Sequence, residues 1–308
     1  MNTGLNCAVI DQVAQKLGCT IAINEPLAPR TTFRIGGPAC RLVAVSTSAQ
    51  LSGILYAAQK EEIPWFVLGK GSNLLVGDRG FPGLVICLEG DFKRVNLLSD
   101  GRTLQAGAAA SLATVCAAAR GYELTGMEFA WGIPASVGGA LYMNAGAYGG
   151  EMKDVAVTVS HIDGQGRPGQ FSGDDLSFSY RCSRYADSSA VITAGYFRLT
   201  PGASEEIAVK MDELMSRRKE KQPYDMPSAG STFKRPKTGY AAALIDQCGL
   251  KGVRVGGAQV SEKHGGFIVN TGGATCKDVL ALIEKVQTVV LQKTGIELEP
   301  EVRVIGEL

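Results

Sequence analysis

The sequence predicts a fold of the α+β class, and three observations predict it. Thirty-nine of the 308 residues are glycine, about 13% against a usual ~7%, which favours a loop-rich α/β or α+β protein. The middle third reads as short strands around one alanine-rich helix, an α+β order. A chain of 308 residues also predicts two domains and is ample for a full core.

The totals exclude several classes. At 45% hydrophobic and 20% charged residues, the composition is that of an ordinary globular protein. Net charge is +1 with both signs interspersed, so neither nucleic acid nor an anionic membrane is an expected partner. The opening MNTGLNCAVIDQ lacks a basic region followed by an apolar one, and no run approaches ~18 apolar residues. A cytoplasmic protein is expected. Eight cysteines are scattered without a C-x-x-C, which predicts reduced thiols. Two histidines, His161 and His264, are too few for a histidine-based metal site, and no metal is expected.

Taken in order, residues 5–17 read as a short amphipathic helix. NEPLAPRTTFRIGGPACRLVAV then reads as a loop, a Gly-Gly turn and a strand. Ser48 is placed to cap a helix burying Leu51, Ile54, Leu55 and Ala58, and WFVLG (65–69) follows as a buried strand. Short strands come next in GLVICL, RVNLL and TLQAGA, before Ser111 opens a helix ending at Gly121. VTVSHID and 190–199 read as strands. Pro201-Gly202 marks the domain boundary, and Ser204 begins a charged helix with Ile207, Met211 and Leu214 inward, stopped by Pro223. A helix over 239–248, a strand over 265–270, a periodic helix capped by Thr275 and closed by Gly295, and a last strand LEPEVRVIG complete the chain.

The stretch 126–150, GMEFAWGIPASVGGALYMNAGAYGG, has seven glycines, and Glu128 is its only charged side chain. Glycine is needed where φ is positive or the backbone comes close to another group. One Gly-Gly pair marks a helix contact, but WGIP, SVGG and NAGAYGG in succession predict a cofactor bed with N–H groups free to donate. The turn GKGSN (69–73) adds a Gly-x-Gly nest suited to a phosphate, with Lys70 supplying charge. TTFRIGG (31–37) stands on the other side of the first long helix.

Two other motifs fail on context. Gly164, Gly166 and Gly169 fit G-x-G-x-x-G, yet a strand-like QFS follows where a helix must open, and Asp163-Gly164 reads as a hairpin turn. Ser231-x-x-Lys234 with Lys237-Thr238-Gly239 is similar to β-lactamase elements, but these lie too close together.

FRIGGPA, LGKGSNLLV, EFAWGIPASVGGALYMNAGAYGGEM, SYR (179–181), SAGSTFKRP and LEPEVR follow one another along nearly the whole chain. Together they closely resemble the UDP-N-acetylenolpyruvoylglucosamine reductase family, flavin enzymes that make UDP-N-acetylmuramate for bacterial cell walls. The resemblance implies a vanillyl-alcohol-oxidase type of FAD-binding fold, two α+β subdomains, plus a smaller α+β substrate-binding domain. It places the FAD-binding domain at 1–200, with subdomains about 21–90 and 91–200, and the substrate-binding domain at 201–308. The last strand, 297–308, is able to return to the first subdomain. The short connection after Arg184 matches the subgroup lacking an extra substrate-covering loop.

The implied reaction reduces a vinyl ether conjugated to a carboxylate. It needs non-covalent FAD, NADPH as reductant, a UDP-sugar substrate, a group to stabilise the enolate and a proton donor. Arg181 in SYR would face the substrate carboxylate, since a guanidinium is permanently charged and forked. Ser231 in SAGSTFKRP matches the family's proton donor, with Lys234 or a relay water as candidates to assist it. Glu301 in LEPEVR matches the second acid; alternation puts Leu298, Pro300, Val302 and Val304 on one strand face and Glu299, Glu301 and Arg303 on the other. Arg34, Gly36, Gly69, Lys70, Gly71, Ser72, Asn73, Leu74, Gly132, Ile133, Ser136, Gly138, Gly139, Asn144 and Gly146 occupy the FAD positions. Tyr180, Lys221, Arg235 and His264 occupy substrate positions, although Arg235 stands where other members carry Asn and His264 where they carry Gln. Oxidases of the same fold often tether FAD through histidine, and neither histidine here lies in a flavin motif. A monomer or weak oligomer is expected.

Overall fold

The computed structural model describes residues 7–308. Four of its helices begin where the chain supplies a capping side chain. α1 spans Cys7–Lys16; residues 5 and 6 of the expected helix lie outside the described residues. α2 spans Ser48–Lys60 and is capped by Thr47, whose side chain accepts from the Gln50 N–H. The expected cap, Ser48, is the first helical residue instead, because two hydroxyls stand side by side and only Thr47 has the extended backbone a cap requires. α3 (Leu112–Gly121) and α4 (Val137–Tyr142) are capped by Ser111 and Ser136. α5 spans Ser204–Lys221, α6 Ala241–Gln247 and α7 Cys276–Thr294.

Strands are short and mostly antiparallel. One sheet orders Thr20–Pro26, Pro38–Val45, Phe81–Leu88 and Trp65–Val67, the last pair parallel. A five-stranded antiparallel sheet runs Pro168–Ser172, Ala156–Ile162, Val191–Arg198, Thr103–Gly107 and Val95–Leu97. A third sheet orders Ser228–Ser231, Phe267–Asn270, Ala258–Val260 and Arg254–Val255. Asp163 to Gly166 form the turn between two strands of the five-stranded sheet: the Gly166 N–H donates to the Asp163 carbonyl at 2.9 Å. G-x-G-x-x-G is therefore a hairpin here, as its context requires.

Three strand expectations need correction. Thr20–Pro26 is a strand; its last three residues, from Asn24, were expected to open a loop, and no element was expected over 20–23. It is an edge strand with mixed burial and a left-handed Asn24, so it lacks the alternation that marks a half-buried strand. Trp65–Val67 is half-buried throughout, not fully buried. The last strand shrinks to Arg303–Ile305, and the expected apolar face breaks at Pro300 and Val304, both exposed, while Leu298 and Val302 are buried.

Over the described residues the chain forms two compact units whose segments do not follow chain order: 7–22, Arg41–Lys70 and Gly83–Arg217, and Ile23–Cys40, Gly71–Pro82 and Arg218–Leu308. The first has a core from α2, α3, α4 and the five-stranded sheet, including Leu51, Ile54, Leu104, Val115, Leu141 and Phe197. The second is built on α7, which buries Val279, Leu282, Ile283, Val286 and Val290 against Leu75, Phe233, Ile245 and Ile268. Each such side chain contributes roughly 1.5–3 kcal/mol. Leu75 belongs to Leu74–Val76, which pairs in parallel with Arg303–Ile305.

Candidate active site

In the first unit the two glycine-rich motifs meet. Ser136 caps α4, its Oγ accepting from the Gly139 N–H at 3.3 Å. A Cβ built on Gly69 would lie 2.5 Å from that Oγ, so only glycine lets the turn close onto the cap. Gly138 lies against Ala108, which an added Cβ would approach to 3.1 Å. Gly139 is exposed, and Gly132 and Ile133 are half-exposed.

The donors are not where the glycine count suggested. Within 126–150 the N–H groups of Ile133, Ala135, Val137, Gly138 and Gly139 are all bonded inside the protein, to Ala130, Ile133, Ala110, Ala108 and Ser136. The stretch therefore presents a smooth backbone surface more than a row of donors. The free donors lie on the turn: among the described residues, the N–H groups of Gly69, Lys70, Gly71 and Ser72 have no hydrogen-bond partner. Backbone N–H groups are obligatory donors, and a run of them is a nest for an anion.

Arg181 and Tyr180 form the tip of a hairpin in the same unit. Ser179 and Cys182 exchange both backbone bonds across it, at 3.0 and 3.2 Å. Arg181 has φ +56°, and its Nη1 donates to the Gly146 carbonyl at 3.5 Å. The tip is thus attached to the glycine-rich stretch at one of the predicted FAD positions. Tyr180 is exposed. Asn144 is wholly buried, and its side chain bonds to protein groups at Glu151, Lys153 and Ser179.

The second unit gathers Ser231 and Glu301. Ser231 ends the strand Ser228–Ser231, opposite Phe267. The chain then continues beside the C-terminal segment, where the Glu301 N–H donates to the Thr232 carbonyl at 2.7 Å and the Lys234 N–H to the Glu299 carbonyl at 2.8 Å. Asn73 holds the other side: its Nδ2 donates to the Glu301 carbonyl at 3.2 Å, and its own carbonyl accepts the Arg303 N–H at 3.0 Å. Ser72 approaches Gly230, whose added Cβ would lie 4.0 Å from the Ser72 carbonyl. Lys234 makes an ion pair with Glu299.

Gly36, at φ +139°, would drive a Cβ to 2.5 Å from Val76. Arg34 is exposed and also left-handed, at φ +56°. Gly71 closes on the Arg30 carbonyl, 2.5 Å from its added Cβ. His264 lies on the turn before Phe267, and its Nδ1 accepts the Gly266 N–H at 3.2 Å. Burial lowers its pKa, so the ring is neutral and its proton sits on Nε2, a donor. Lys221 ends α5 and is exposed; the Lys219 carbonyl just before it accepts from Lys263 Nζ, next to His264. Arg235, exposed, stacks on Tyr240 at 4.2 Å.

Residues 222–305 match the family model described as UDP-N-acetylenolpyruvoylglucosamine reductase, C-terminal domain, and residues 39–169 match an FAD binding domain. The UDP-N-acetylenolpyruvoylglucosamine reductase of Caldanaerobacter subterraneus is 48% identical over 92% of this chain and 93% of its own length. That of Agathobacter rectalis is 45% identical across the whole of both chains. This chain belongs to the UDP-N-acetylenolpyruvoylglucosamine reductase family. A solved reductase of the family, from Thermus caldophilus, superposes with a TM-score of 0.80 at 38% identity, covering 93% of this chain and 98% of that one. The berberine bridge enzyme from Eschscholzia californica, at 16% identity and a TM-score of 0.51 over 63% of this chain and 44% of its own, shares the fold. The fold is thus that of the vanillyl-alcohol-oxidase type of flavoprotein, α+β, and the protein is an FAD-dependent oxidoreductase.

The residues present fit FAD. Four successive unpartnered N–H groups on the turn 69–72 suit a diphosphate, and the missing Cβ atoms at Gly69 and Gly138 keep the adjoining surface bare. Sequence reasoning missed the residues that hold these parts in place. Thr32 Oγ1 donates to the Ser228 carbonyl at 2.6 Å, and Asn270 Nδ2 to the Phe33 carbonyl at 3.1 Å. Thr32 lies inside the quoted TTFRIGG motif, which was the one available signal; Asn270 ends an apolar strand and carries none.

Proposed function

We propose that this chain reduces the enolpyruvyl group of UDP-N-acetylglucosamine enolpyruvate to the lactyl ether of UDP-N-acetylmuramate, with NADPH as reductant. The FAD-binding part is assigned to 1–200 and the substrate-binding part to 201–308. Arg34, Gly36, the turn 69–74, Gly132, Ile133, Ser136, Gly138, Gly139 and Gly146 would hold the cofactor. When bound, reduced FAD supplies a hydride for the terminal carbon of the alkene.

The rest is work for the chain's own side chains. Arg181 pairs with the substrate carboxylate and stays charged while negative charge spreads into it, so its attraction grows toward the transition state. Glu301, in its protonated form, donates a hydrogen bond to the enol ether and so steadies the same charge. The Ser231 hydroxyl gives its proton to the adjacent carbon. Lys221 meets the diphosphate as a flexible point charge, and Tyr180, Arg235 and the Nε2–H of His264 contact the remaining polar edges. His264 can stand for glutamine because both present a neutral N–H donor at the end of a short side chain.

The observation that most supports this reading is the ladder that fixes Glu301 against Thr232, the residue after Ser231. Two groups needed for one protonation are thereby built into a single pair of neighbouring backbones. The deciding experiment is spectroscopic. Purified protein should carry flavin absorption bands that NADPH bleaches without oxygen and that the UDP-linked enolpyruvyl substrate restores. Protein without bound flavin, or reduced flavin that the substrate fails to re-oxidise, overturns the proposal.

A further inference from the structure

Arg181 occupies a backbone conformation that a non-glycine residue takes only when its surroundings impose it, φ +56° at the tip of a two-residue hairpin. Two side chains impose it, one on each side. Two residues before Arg181, the Ser179 carbonyl accepts from Asn144 Nδ2 at 3.0 Å. Two residues after it, Ser183 Oγ donates to the Tyr142 carbonyl at 2.8 Å. Both anchors fall on one short piece of chain, the end of α4 and the residues following it.

That piece is itself fixed. Asn144 is 0% exposed and has φ +42°, a conformation asparagine tolerates better than most residues. Its second amide N–H goes to Glu151 Oε2 at 2.8 Å, and its Oδ1 accepts the Lys153 N–H at 3.0 Å. Glu151 is held in turn by a reciprocal cap with Asp154 and an ion pair with Lys153. Both amide hydrogens of Asn144 are therefore spent inside the protein, leaving no donor for a ligand. Ser183 is 3% exposed and accepts the Tyr185 N–H at 3.3 Å besides donating to Tyr142.

We propose that Asn144 and Ser183 are positioning residues, which set the direction from which the Arg181 guanidinium meets the substrate carboxylate. Asn144 belongs to the machinery of Arg181 and not to the set of side chains that grip FAD. This rests on the role assigned above to Arg181. Both polar contacts act on the hairpin's backbone, and a displacement of about 1 Å at a charge-stabilising group is enough to cost ~10²-fold in rate.

The test compares Asn144→Gly, which keeps the left-handed backbone while deleting the amide, with Ser183→Ala and Arg181→Lys. Flavin content, thermal midpoint, bleaching by NADPH and anaerobic re-oxidation by the enolpyruvyl substrate are measured for each. The expected result is flavin content and bleaching at parental levels in Asn144→Gly and Ser183→Ala, with re-oxidation slowed tenfold or more. Adding Asn144→Gly to Arg181→Lys should then slow re-oxidation little further, since both act through one group. Parental re-oxidation in Ser183→Ala and Asn144→Gly alongside a slow Arg181→Lys overturns the positioning role. Loss of flavin, or equal slowing of both half-reactions, overturns it too, because that marks a merely structural part. Parental re-oxidation in Arg181→Lys sinks the role of Arg181 itself, and the proposal with it. If Asn144→Gly fails to fold, Ser183→Ala and its combination with Arg181→Lys decide the matter.

Discussion

The Glu301 N–H lies 2.7 Å from the Thr232 carbonyl, and this bond sets the proposed second acid one residue along from the proposed proton donor. Ser231 cannot slide relative to Glu301 without breaking it, the Lys234–Glu299 backbone bond beside it and the Asn73 contact behind it. Ser231→Ala should therefore leave bleaching by NADPH intact while slowing re-oxidation by the enolpyruvyl substrate by roughly 10²–10⁴. Glu301→Gln, whose amide still donates a hydrogen bond but cannot give up a proton, should slow the same step by less. Parental re-oxidation in Ser231→Ala would remove that hydroxyl from the mechanism.

Gly69 makes a separate prediction about the cofactor. An alanine there places its Cβ 2.5 Å from Ser136 Oγ, so either the turn or the α4 cap must move. Gly69→Ala should purify with much less flavin than the parent, read from the absorbance ratio of flavin to protein. Gly121→Ala is the control. It ends α3, has no positive φ and meets nothing within 4 Å, so the substitution should stabilise the fold by about 0.5–1 kcal/mol. Full flavin in Gly69→Ala would show that the turn adapts freely.

The contrast between these two glycines marks what the sequence makes legible. Helices are readable because their ends carry local signals: Ser111, Thr275 and Gly295 stand where they are expected, and misplacing the α2 cap by one residue reflects two adjacent hydroxyls. The antiparallel hairpin at Asp163 is equally local. Thr20–Pro26 is not, since its strand character comes from a partner found only in the fold. The site divides the same way. Motifs point to Gly69, Arg181, Ser231 and Glu301, but the Val137 and Gly138 N–H groups of the glycine-rich stretch are consumed by carbonyls of Ala110 and Ala108 that no spacing rule connects to them. Asn144 spends both side-chain amide hydrogens on Glu151 and Ser179, which no sequence spacing reveals.

Acid sensitivity should come from the two histidines. Burial lowers the pKa of both His161 and His264; His161 is also bonded to the Tyr185 hydroxyl at 3.0 Å and stacked on Phe171. In the unfolded chain each ring takes up a proton near pH 6.5, whereas the fold holds it off to lower pH. As pH falls through about 6.5 the unfolded state gains protons that the native state does not, and stability drops. Above that pH both states are neutral and the slope vanishes. The carboxylates act lower down: hydrogen bonds from Thr103 and Arg102 hold Asp100 at about 2, and its contribution is lost only below the ordinary Asp range near 3.9. Urea midpoints between about pH 7.5 and 5 should therefore decline, and more shallowly in His264→Gln. An equal slope in that variant would assign the acid sensitivity elsewhere.

The start of α7 offers the cleanest stability test. Its Thr275–Asp278 capping box satisfies two N–H groups, but the first turn of a helix leaves four. Asp78, nearly two hundred residues earlier in the chain, supplies the remainder: its Oδ1 accepts the Cys276 N–H at 2.7 Å and its Oδ2 the Lys277 N–H at 3.1 Å. The carboxylate also lies at the positive end of a 19-residue helix, where a negative charge is favoured. Asp78→Ala should lower unfolding free energy by about 1–2 kcal/mol, the usual cost of a lost cap, while Asp78→Asn, still an acceptor but uncharged, should lose less. The check is the urea midpoint at constant slope, so that a change in the unfolded state is not mistaken for one in the fold. Raising salt should narrow the gap between the parent and Asp78→Asn, because the charge–dipole part is screened and the hydrogen-bonded part is not. A gap independent of salt would leave Asp78 as a hydrogen-bond acceptor alone, with its charge idle.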